Sequence, residues 1–123
     1  MTEQTPQRSE GDGFVVIDRA YELAREMTAR TRKFPRDLRF VLGDRLLTTT
    51  YDILDALITC RYVKTERVAE LRRVNLLLER LRFQVRLCQD ERVISVRQYE
   101  YLSTMLQTLG AMVGSWEKQA GRK

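Results

Sequence analysis

Few side chains in the sequence could perform catalysis or hold a metal. The 123 residues contain no histidine, which removes the commonest general base and the commonest metal ligand. Cys60 and Cys88 occupy apolar positions of helical patterns, so we expect buried thiols in a reducing compartment. Asp52 and Asp55 lie one helical turn apart, and we expect ordinary surface charges there. Because the phosphate-loop, nucleophile-elbow and zinc-protease motifs are also missing, we predict no enzymatic activity, metal or cofactor.

Basic side chains are the remaining chemical feature. Lysine and arginine total 22 against 17 aspartate and glutamate, and 18 of the 22 are arginine, whose guanidinium binds phosphate in a bidentate manner. The net charge is +2 in residues 14–34, 0 in 35–63, +3 in 64–90 and +2 in 91–123. We predict nucleic-acid contacts at the end of the first helix and along the third, made by Arg30, Arg32, Lys33, Arg72, Arg73, Arg80, Arg82 and Arg86.

Each of these arginines also has a simpler explanation. It could be a solvated charge paired with an acidic residue one turn away, as the spacing from Glu79 to Arg82 allows. The sequence shows no aromatic-rich platform for single strands, so any nucleic-acid binding should depend on phosphate contacts and on salt.

Four periodic segments must position these side chains. We predict helices from about Phe14 to Arg32, Pro35 to Arg61, Glu66 to Asp90 and Ser95 to Gln119. Short connections make sequential helices antiparallel neighbours, so the predicted fold is an all-α, up-down four-helix bundle. The bundle would cover residues 14–119, between a disordered tail at 1–13 and a short basic tail at 120–123.

Apolar stripes and capping residues support these helices. Thr65 is a candidate N-cap of the third helix, and Ser95 with Gln98 forms a capping box for the fourth. The expected core positions fall on one stripe in the first, third and fourth helices and on two neighbouring stripes in the second. They are Phe14, Ile17, Tyr21, Ala24 and Thr28; Phe40, Leu47, Leu54 and Ile58 beside Leu42, Leu46, Ile53, Leu57 and Cys60; Val68, Leu71, Val74, Leu78, Leu81, Val85 and Cys88; and Tyr99, Leu102, Leu106, Leu109, Val113 and Trp116.

The third helix carries a second apolar stripe nearly opposite its core stripe. This outer stripe consists of Ala69, Leu76, Phe83 and Leu87, with Arg73 and Arg80 beside it. A helix of a monomeric bundle buries one side, so a second stripe needs a second partner. We predict that the outer stripe is a homo-oligomer interface, with help from the second helix. The alternative is a central third helix that touches other helices of its own chain on both sides.

Four stretches of the sequence resemble a family of small bacterial four-helix-bundle proteins. They are Lys33–Arg45 (KFPRDLRFVLGDR), Leu71–Phe83 (LRRVNLLLERLRF), Ile94–Ser103 (ISVRQYEYLS) and Gly110–Trp116 (GAMVGSW). The family includes proteins encoded in intervening sequences of ribosomal RNA genes. It also includes the accessory variability determinant (Avd) of diversity-generating retroelements. The likeness extends over residues 14–119.

The resemblance implies a barrel-like homopentamer. In the retroelement branch it further implies a basic protein that binds the reverse transcriptase and nucleic acid, template RNA or cDNA, and supports mutagenic reverse transcription without catalysing it. In the other branch it implies a structural or RNA-associated role. Because such polymerases are basic, we expect the polymerase to contact the acidic face of the second helix, at Asp44, Asp52 and Asp55.

The expected location is the cytoplasm, without a membrane partner. Residues 1–13 have no apolar segment of the kind that a signal peptide needs. The longest uncharged stretch, residues 101–116, has 16 residues and several polar side chains, which is too short and too polar to cross a bilayer.

Overall fold

The computed structural model describes residues 13–122, which form four long helices and no β-strand. The helices are α1 (Val15–Thr31), α2 (Asp44–Tyr62), α3 (Arg67–Asp90) and α4 (Val96–Gly121). Each packs against the next along the chain, and α1 also packs against α4. The predicted all-α class with four helices is therefore confirmed.

The core stripe of α3 lies at the centre of the hydrophobic core, as predicted. Leu71, Val74, Leu78 and Leu81 are at most 1% exposed. On α4 the predicted stripe is buried from Leu102 to Trp116, and only Tyr99 lies at the edge of the core. Uninterrupted aliphatic periodicity is the strongest helical signal in a sequence, which explains why these two helices were predictable.

The predicted core face of α1 is correct only in part: Ala24 is buried and Ile17 packs against the core, but the face is displaced by about one residue. The buried side chains of α1 include Val16, Leu23 and Met27, whereas Phe14 and Tyr21 are half exposed. Val16, Leu23 and Met27 carry no polar group that would need a partner in the core. A buried Tyr21 hydroxyl would require a hydrogen-bond partner, so the aromatic side of α1 faces outward.

The two predicted stripes of α2 have different fates. The stripe with Leu46, Ile53 and Leu57 is buried in the core. The neighbouring stripe is partly exposed, with Phe40 and Ile58 at the surface. The width of the apolar arc on α2 therefore produces an exposed apolar surface beside α1.

The connection between α1 and α2, residues 32–43, is not the regular helix start that Pro35 suggests. We call this segment the α1–α2 junction. Pro35 caps a three-residue helix, Arg36–Leu38, and a π-helical stretch follows at Arg39–Gly43. The amide of Asp44 donates to the carbonyl of Arg39, five residues earlier. This wider turn changes the direction of side chains that a regular helix would place in the core stripe.

Arg67 stabilises the turn between α2 and α3. Its Nε donates to the carbonyl of Cys60 at 2.6 Å, and a terminal nitrogen donates to the carbonyl of Arg61 at 3.1 Å. Its guanidinium also lies 5.4 Å from the centre of the Trp116 ring. The predicted N-cap at Thr65 is wrong, because Thr65 lies inside a 3₁₀ turn and α3 has no side-chain cap.

The connection between α3 and α4, residues 91–95, is closed by backbone and side-chain hydrogen bonds. We call it the α3–α4 link. The amides of Arg92 and Val93 donate to the carbonyls of Gln89 and Cys88, which is the Schellman pattern for ending a helix. Arg92 occupies the left-handed region with φ 63°. The predicted capping box is confirmed, since Ser95 and Gln98 bond to each other's backbone amides.

Both predicted boundaries of the bundle shift slightly. Gly13 was assigned to the tail but is buried, and a Cβ at this position would overlap the indole of Trp116. Its φ of 96° is also one that glycine adopts easily. At the other end, α4 continues to Gly121 instead of stopping at Gln119. Residues 1–12, the rest of the predicted tail, lie outside the described residues.

Candidate nucleic-acid interface and oligomer surface

The five predicted arginines of α3 are exposed, and four of them form ion pairs that water can reach. Arg73 pairs with Glu70 at 3.5 Å, Arg82 with Glu79 at 3.0 Å and Arg86 with Asp90 at 3.9 Å, each one turn away. Such exposed pairs contribute at most about 1 kcal/mol. The local acidic partners anticipated from the spacing are therefore present, but they hold the guanidinium groups only weakly.

Arg72 and Arg80 differ from the other three. Arg72 pairs with Glu117 of α4 at 3.5 Å and remains 72% exposed. Arg80 is exposed, and within residues 13–122 no carboxylate lies within 4 Å of it. Because α3 has 24 residues, or about 36 Å of length, its arginines spread along the helix and around both sides of the outer stripe, and they do not form a single cluster.

The end of α1 contributes a second basic group. Arg30 is half-buried and its Nε lies 2.7 Å from the carboxylate of Glu26, so it is the least available of the predicted contacts. Arg32 and Lys33 are exposed. Only these two of the three predicted cations at this end of α1 face solvent.

Three exposed arginines near this end were missed by sequence reasoning. They are Arg36 and Arg39 in the α1–α2 junction and Arg45 in the first turn of α2. Residues 30–45 contain six basic and two acidic side chains, so this segment carries a net charge of +4. The signal was present in the sequence, but dividing the charge count between residues 34 and 35 split it into two unremarkable halves.

The outer stripe of α3 is exposed along its length. Leu76 is 54% exposed, Phe83 59% and Leu87 45%, and Ala69 is also exposed. The alternative, in which these residues pack against other helices of the same chain, is therefore wrong. The stripe is an apolar surface with Arg73 and Arg80 at its edge, and its role as an oligomer interface stays a prediction.

A second apolar surface lies along α1 and α2, and it includes Tyr21 and Ile58, which were predicted core residues. Tyr21, Tyr51, Ile58 and Tyr62 are exposed there. The hydroxyls of Tyr51 and Thr28 are 3.2 Å apart, which joins the two helices at mid-length. The exposed half of the wide α2 arc was the sequence signal for this surface.

The predicted polymerase contact does not form one compact acidic patch. Asp55 is exposed and Asp52 is half-buried, one turn apart on α2. Asp44 is exposed but lies eleven residues before Asp55, about 16 Å along the helix, and it lines a cleft with Arg32 and Arg39. Asp52 and Asp55 therefore remain together, whereas Asp44 belongs to a basic environment.

The two cysteines are structural. Both are buried and unpaired, as predicted, and burial raises the pKa of each thiol to about 11. They are therefore protonated and weakly nucleophilic near neutral pH. In the part of the chain that the structure describes, no group of three or more cysteine, aspartate or glutamate side chains could hold a metal ion.

Within residues 13–122, no helix has both the length and the apolar character of a membrane span.

Comparison with known proteins places the chain in a family. No curated protein is significantly similar to the chain. A family model described as bAvd-like matches residues 14–120, which is nearly the whole bundle. The helical order, the buried stripes of α3 and α4 and this match agree, and the chain therefore belongs to the bAvd-like family.

Proposed function

We propose that this protein is a non-catalytic accessory protein of a diversity-generating retroelement. In this proposal it binds template RNA or cDNA, binds the reverse transcriptase of the element and acts as a homo-oligomer, a pentamer by the resemblance. Membership of the bAvd-like family supports the accessory role. Contacts between the start of α3 and the end of α4, such as Asn75 with Glu117 at 2.6 Å, support an antiparallel bundle as its unit.

The availability of positive charge is the observation that carries the nucleic-acid part of the proposal. Arg32, Lys33 and Arg80 are exposed and have no carboxylate within 4 Å in the described range. Arg72, Arg73, Arg82 and Arg86 make only exposed ion pairs, which phosphate can replace at little cost. Assembly into an oligomer would repeat this surface and strengthen its field.

The test is the salt dependence of binding to RNA and DNA of mixed sequence. Log affinity should fall linearly with log salt, by about 0.9 for each phosphate contact on duplex DNA. Replacing Arg80 by alanine should lower that slope by about 1 and weaken all sequences alike. Tyr101→Ala, an exposed substitution on α4 that keeps the charge, is the control. An affinity that does not change with salt would contradict the proposal.

The homo-oligomer part depends on the outer stripe of α3. Leu76→Asp would place an unpaired charge in an apolar contact, which is strongly unfavourable. Light scattering should then give a lower mass, with helicity retained because Leu76 is outside the core. Val96→Asp is a matched control, since Val96 is similarly exposed but begins α4, where an acidic residue is favourable. A monomeric wild type would contradict this part.

The polymerase contact is assigned to Asp52 and Asp55. The double substitution Asp52→Lys and Asp55→Lys should weaken capture of the reverse transcriptase in nuclease-treated extract, while nucleic-acid binding stays or increases. Asp18→Lys with Glu22→Lys is the matched control, because these carboxylates are exposed and one turn apart on α1. Capture that disappears on nuclease treatment alone would mean that RNA bridges the two proteins.

A further inference from the structure

A small cleft opens where α1 meets the α1–α2 junction. Its volume is about 230 Å³, below the roughly 300–1,000 Å³ of pockets that enclose drug-sized ligands. Arg32, Arg39 and Asp44 line its charged side and Phe40 its aromatic side. The remaining lining residues are Thr28, Thr31, Gly43 and Leu47.

The π-helical stretch presents Phe40 to solvent in this cleft. Phe40 is 69% exposed, although its position in the sequence predicts a core residue. No cation lies over its ring within residues 13–122, unlike Phe14 and Tyr62, which share Arg61 at 5.6 and 5.5 Å. Phe40 therefore offers an aromatic face that the bundle does not use.

The guanidinium of Arg39, beside Phe40, is held in place. A terminal nitrogen of Arg39 donates to the carbonyl of Arg32 at 3.3 Å, which ties the junction to the end of α1. Beneath the cleft, Gly43 and Phe34 are buried. A firm floor and a restrained guanidinium reduce the ordering that a ligand would have to impose.

We propose that this cleft binds one unpaired base of single-stranded nucleic acid, a site that rests on the proposed nucleic-acid binding. The base would stack on Phe40, its phosphates would bind Arg32 and Arg39, and the Asp44 carboxylate would accept a hydrogen bond from a base N–H. The dense positive charge of residues 30–45 favours a polyanion here over a neutral protein surface.

The cleft adds a discrimination that phosphate contacts alone lack. Bases inside a duplex are stacked on each other and cannot reach Phe40, so the site selects single strands or loops. The sequence indicated no aromatic platform because Phe40 was assigned to the core. Phe40 lies within the π-helical stretch, whose wider turn directs the side chain to solvent instead of into the core stripe predicted for a regular α-helix.

The experiment compares single-stranded and duplex binding by the full-length protein. The probes are a labelled oligouridine of about 12 nucleotides and a duplex of similar length, at one salt concentration. Phe40→Ala should lower affinity for oligouridine by roughly tenfold and leave duplex affinity within about twofold. Phe40→Tyr should retain the affinity for oligouridine, and Tyr101→Ala, which removes another exposed aromatic ring, should change neither.

The outcomes separate this site from the proposed function. If Phe40→Ala leaves oligouridine affinity unchanged while salt-dependent binding persists, the stacking site is absent and the proposed function stands. If Phe40→Ala lowers the oligomer mass and both affinities, a second copy of the chain covers the cleft and the inference is overturned. If the wild type binds neither probe, the proposed function and the inference fail together.

A tryptophan at position 40 gives a direct readout of stacking. In Phe40→Trp, oligouridine should quench the new fluorescence, because a base stacked on an indole is a contact quencher. Trp116 is buried beside Arg67 and Gly13, away from the cleft, so its emission should stay constant. Fluorescence that is insensitive to saturating oligouridine would overturn the stacking geometry.

Discussion

The α1–α2 junction and the α3–α4 link both connect two sequential helices, but they expose very different surfaces. Both follow one long helix and lead into the next. The link encloses its backbone groups in a Schellman pattern and a capping box, and Ile94 within it is buried. The junction uses a three-residue helix and a π-helical stretch, and it leaves Phe40 and several cations in water.

The difference separates residues that fold the protein from residues available for binding. Each residue of the link has a structural explanation in a hydrogen bond or in burial. In the junction, Phe34 is buried and the carbonyl of Pro35 accepts hydrogen bonds, whereas the side chains of Phe40 and Lys33 are exposed and form no ion pair or cation–π contact within residues 13–122. Exposed aromatic and basic side chains on an ordered scaffold are the usual composition of a binding surface.

The largest expected contrast is in nucleic-acid affinity. Lys33→Ala with Arg36→Ala in the junction should weaken binding of single-stranded RNA by roughly fivefold per contact near 0.1 M salt, because each phosphate contact on a single strand contributes about 0.7 to the slope. The matched change on the link side, Arg92→Ala with Arg97→Ala, also removes two exposed cations and should cost under about threefold. Fluorescence anisotropy measures both. Equal losses would mean that charge alone, without location, controls binding.

The second contrast concerns stability and compares two residues of the turn between α2 and α3. This turn has no side-chain helix cap, and Arg67 holds it together instead. Arg67→Ala removes two hydrogen bonds to the end of α2 and a cation–π contact with Trp116, which should lower the free energy of unfolding by about 2–4 kcal/mol. Lys64→Ala, exposed in the same turn, should cost under about 0.5 kcal/mol. Urea unfolding measures both, and equal values would show that Arg67 holds nothing together.

Local signals in the sequence predicted the α3–α4 link better than the α1–α2 junction. The capping box at Ser95 involves four consecutive residues, so its chemistry is complete in the sequence. The π-helical stretch at Arg39–Gly43 lies between two buried residues, Phe34 and Leu46, and no local motif in the sequence marks it. The core face of α1 was missed for a similar reason, since Tyr21 and Leu23 are both apolar in pattern and only packing chooses between them.

The outer stripe of α3 was predicted because its residues repeat at helical spacing. Leu76 and Phe83 are seven residues apart, so a helical wheel places them on the same face of α3 without any information on which helices pack against it. The basic residues of the junction could have been predicted from the sequence, but counting charge in separate segments on either side of residue 34 divided them. The cleft beside Phe40 was inaccessible, because Arg32, Arg39 and Asp44 come together only through the fold.

The third prediction compares a true helix cap with a false one. Ser95→Ala removes the hydrogen bond from the Gln98 amide to the Ser95 hydroxyl and should cost about 1 kcal/mol. Thr65→Ala, at the position predicted to cap α3, should cost a few tenths because Thr65 caps nothing. Thermal unfolding should separate them by roughly 4 °C. If both substitutions cost the same, the capping box contributes no stability.

The smallest effect tests the one strained residue of the link. Arg92 holds φ at 63°, in the left-handed region that costs a residue with a Cβ about 1 kcal/mol and costs glycine almost nothing. Arg92→Gly should therefore raise the free energy of unfolding by about 0.5–1 kcal/mol, part of the gain being offset by the greater freedom of glycine in the unfolded chain. Arg86→Gly, the same change inside α3, should instead lower it by about 1 kcal/mol. The same substitution should therefore change the free energy of unfolding in opposite directions at the two positions, and the left-handed conformation of Arg92 is the reason. A destabilised Arg92→Gly protein would mean that the arginine side chain contributes more to the link than its backbone strain removes.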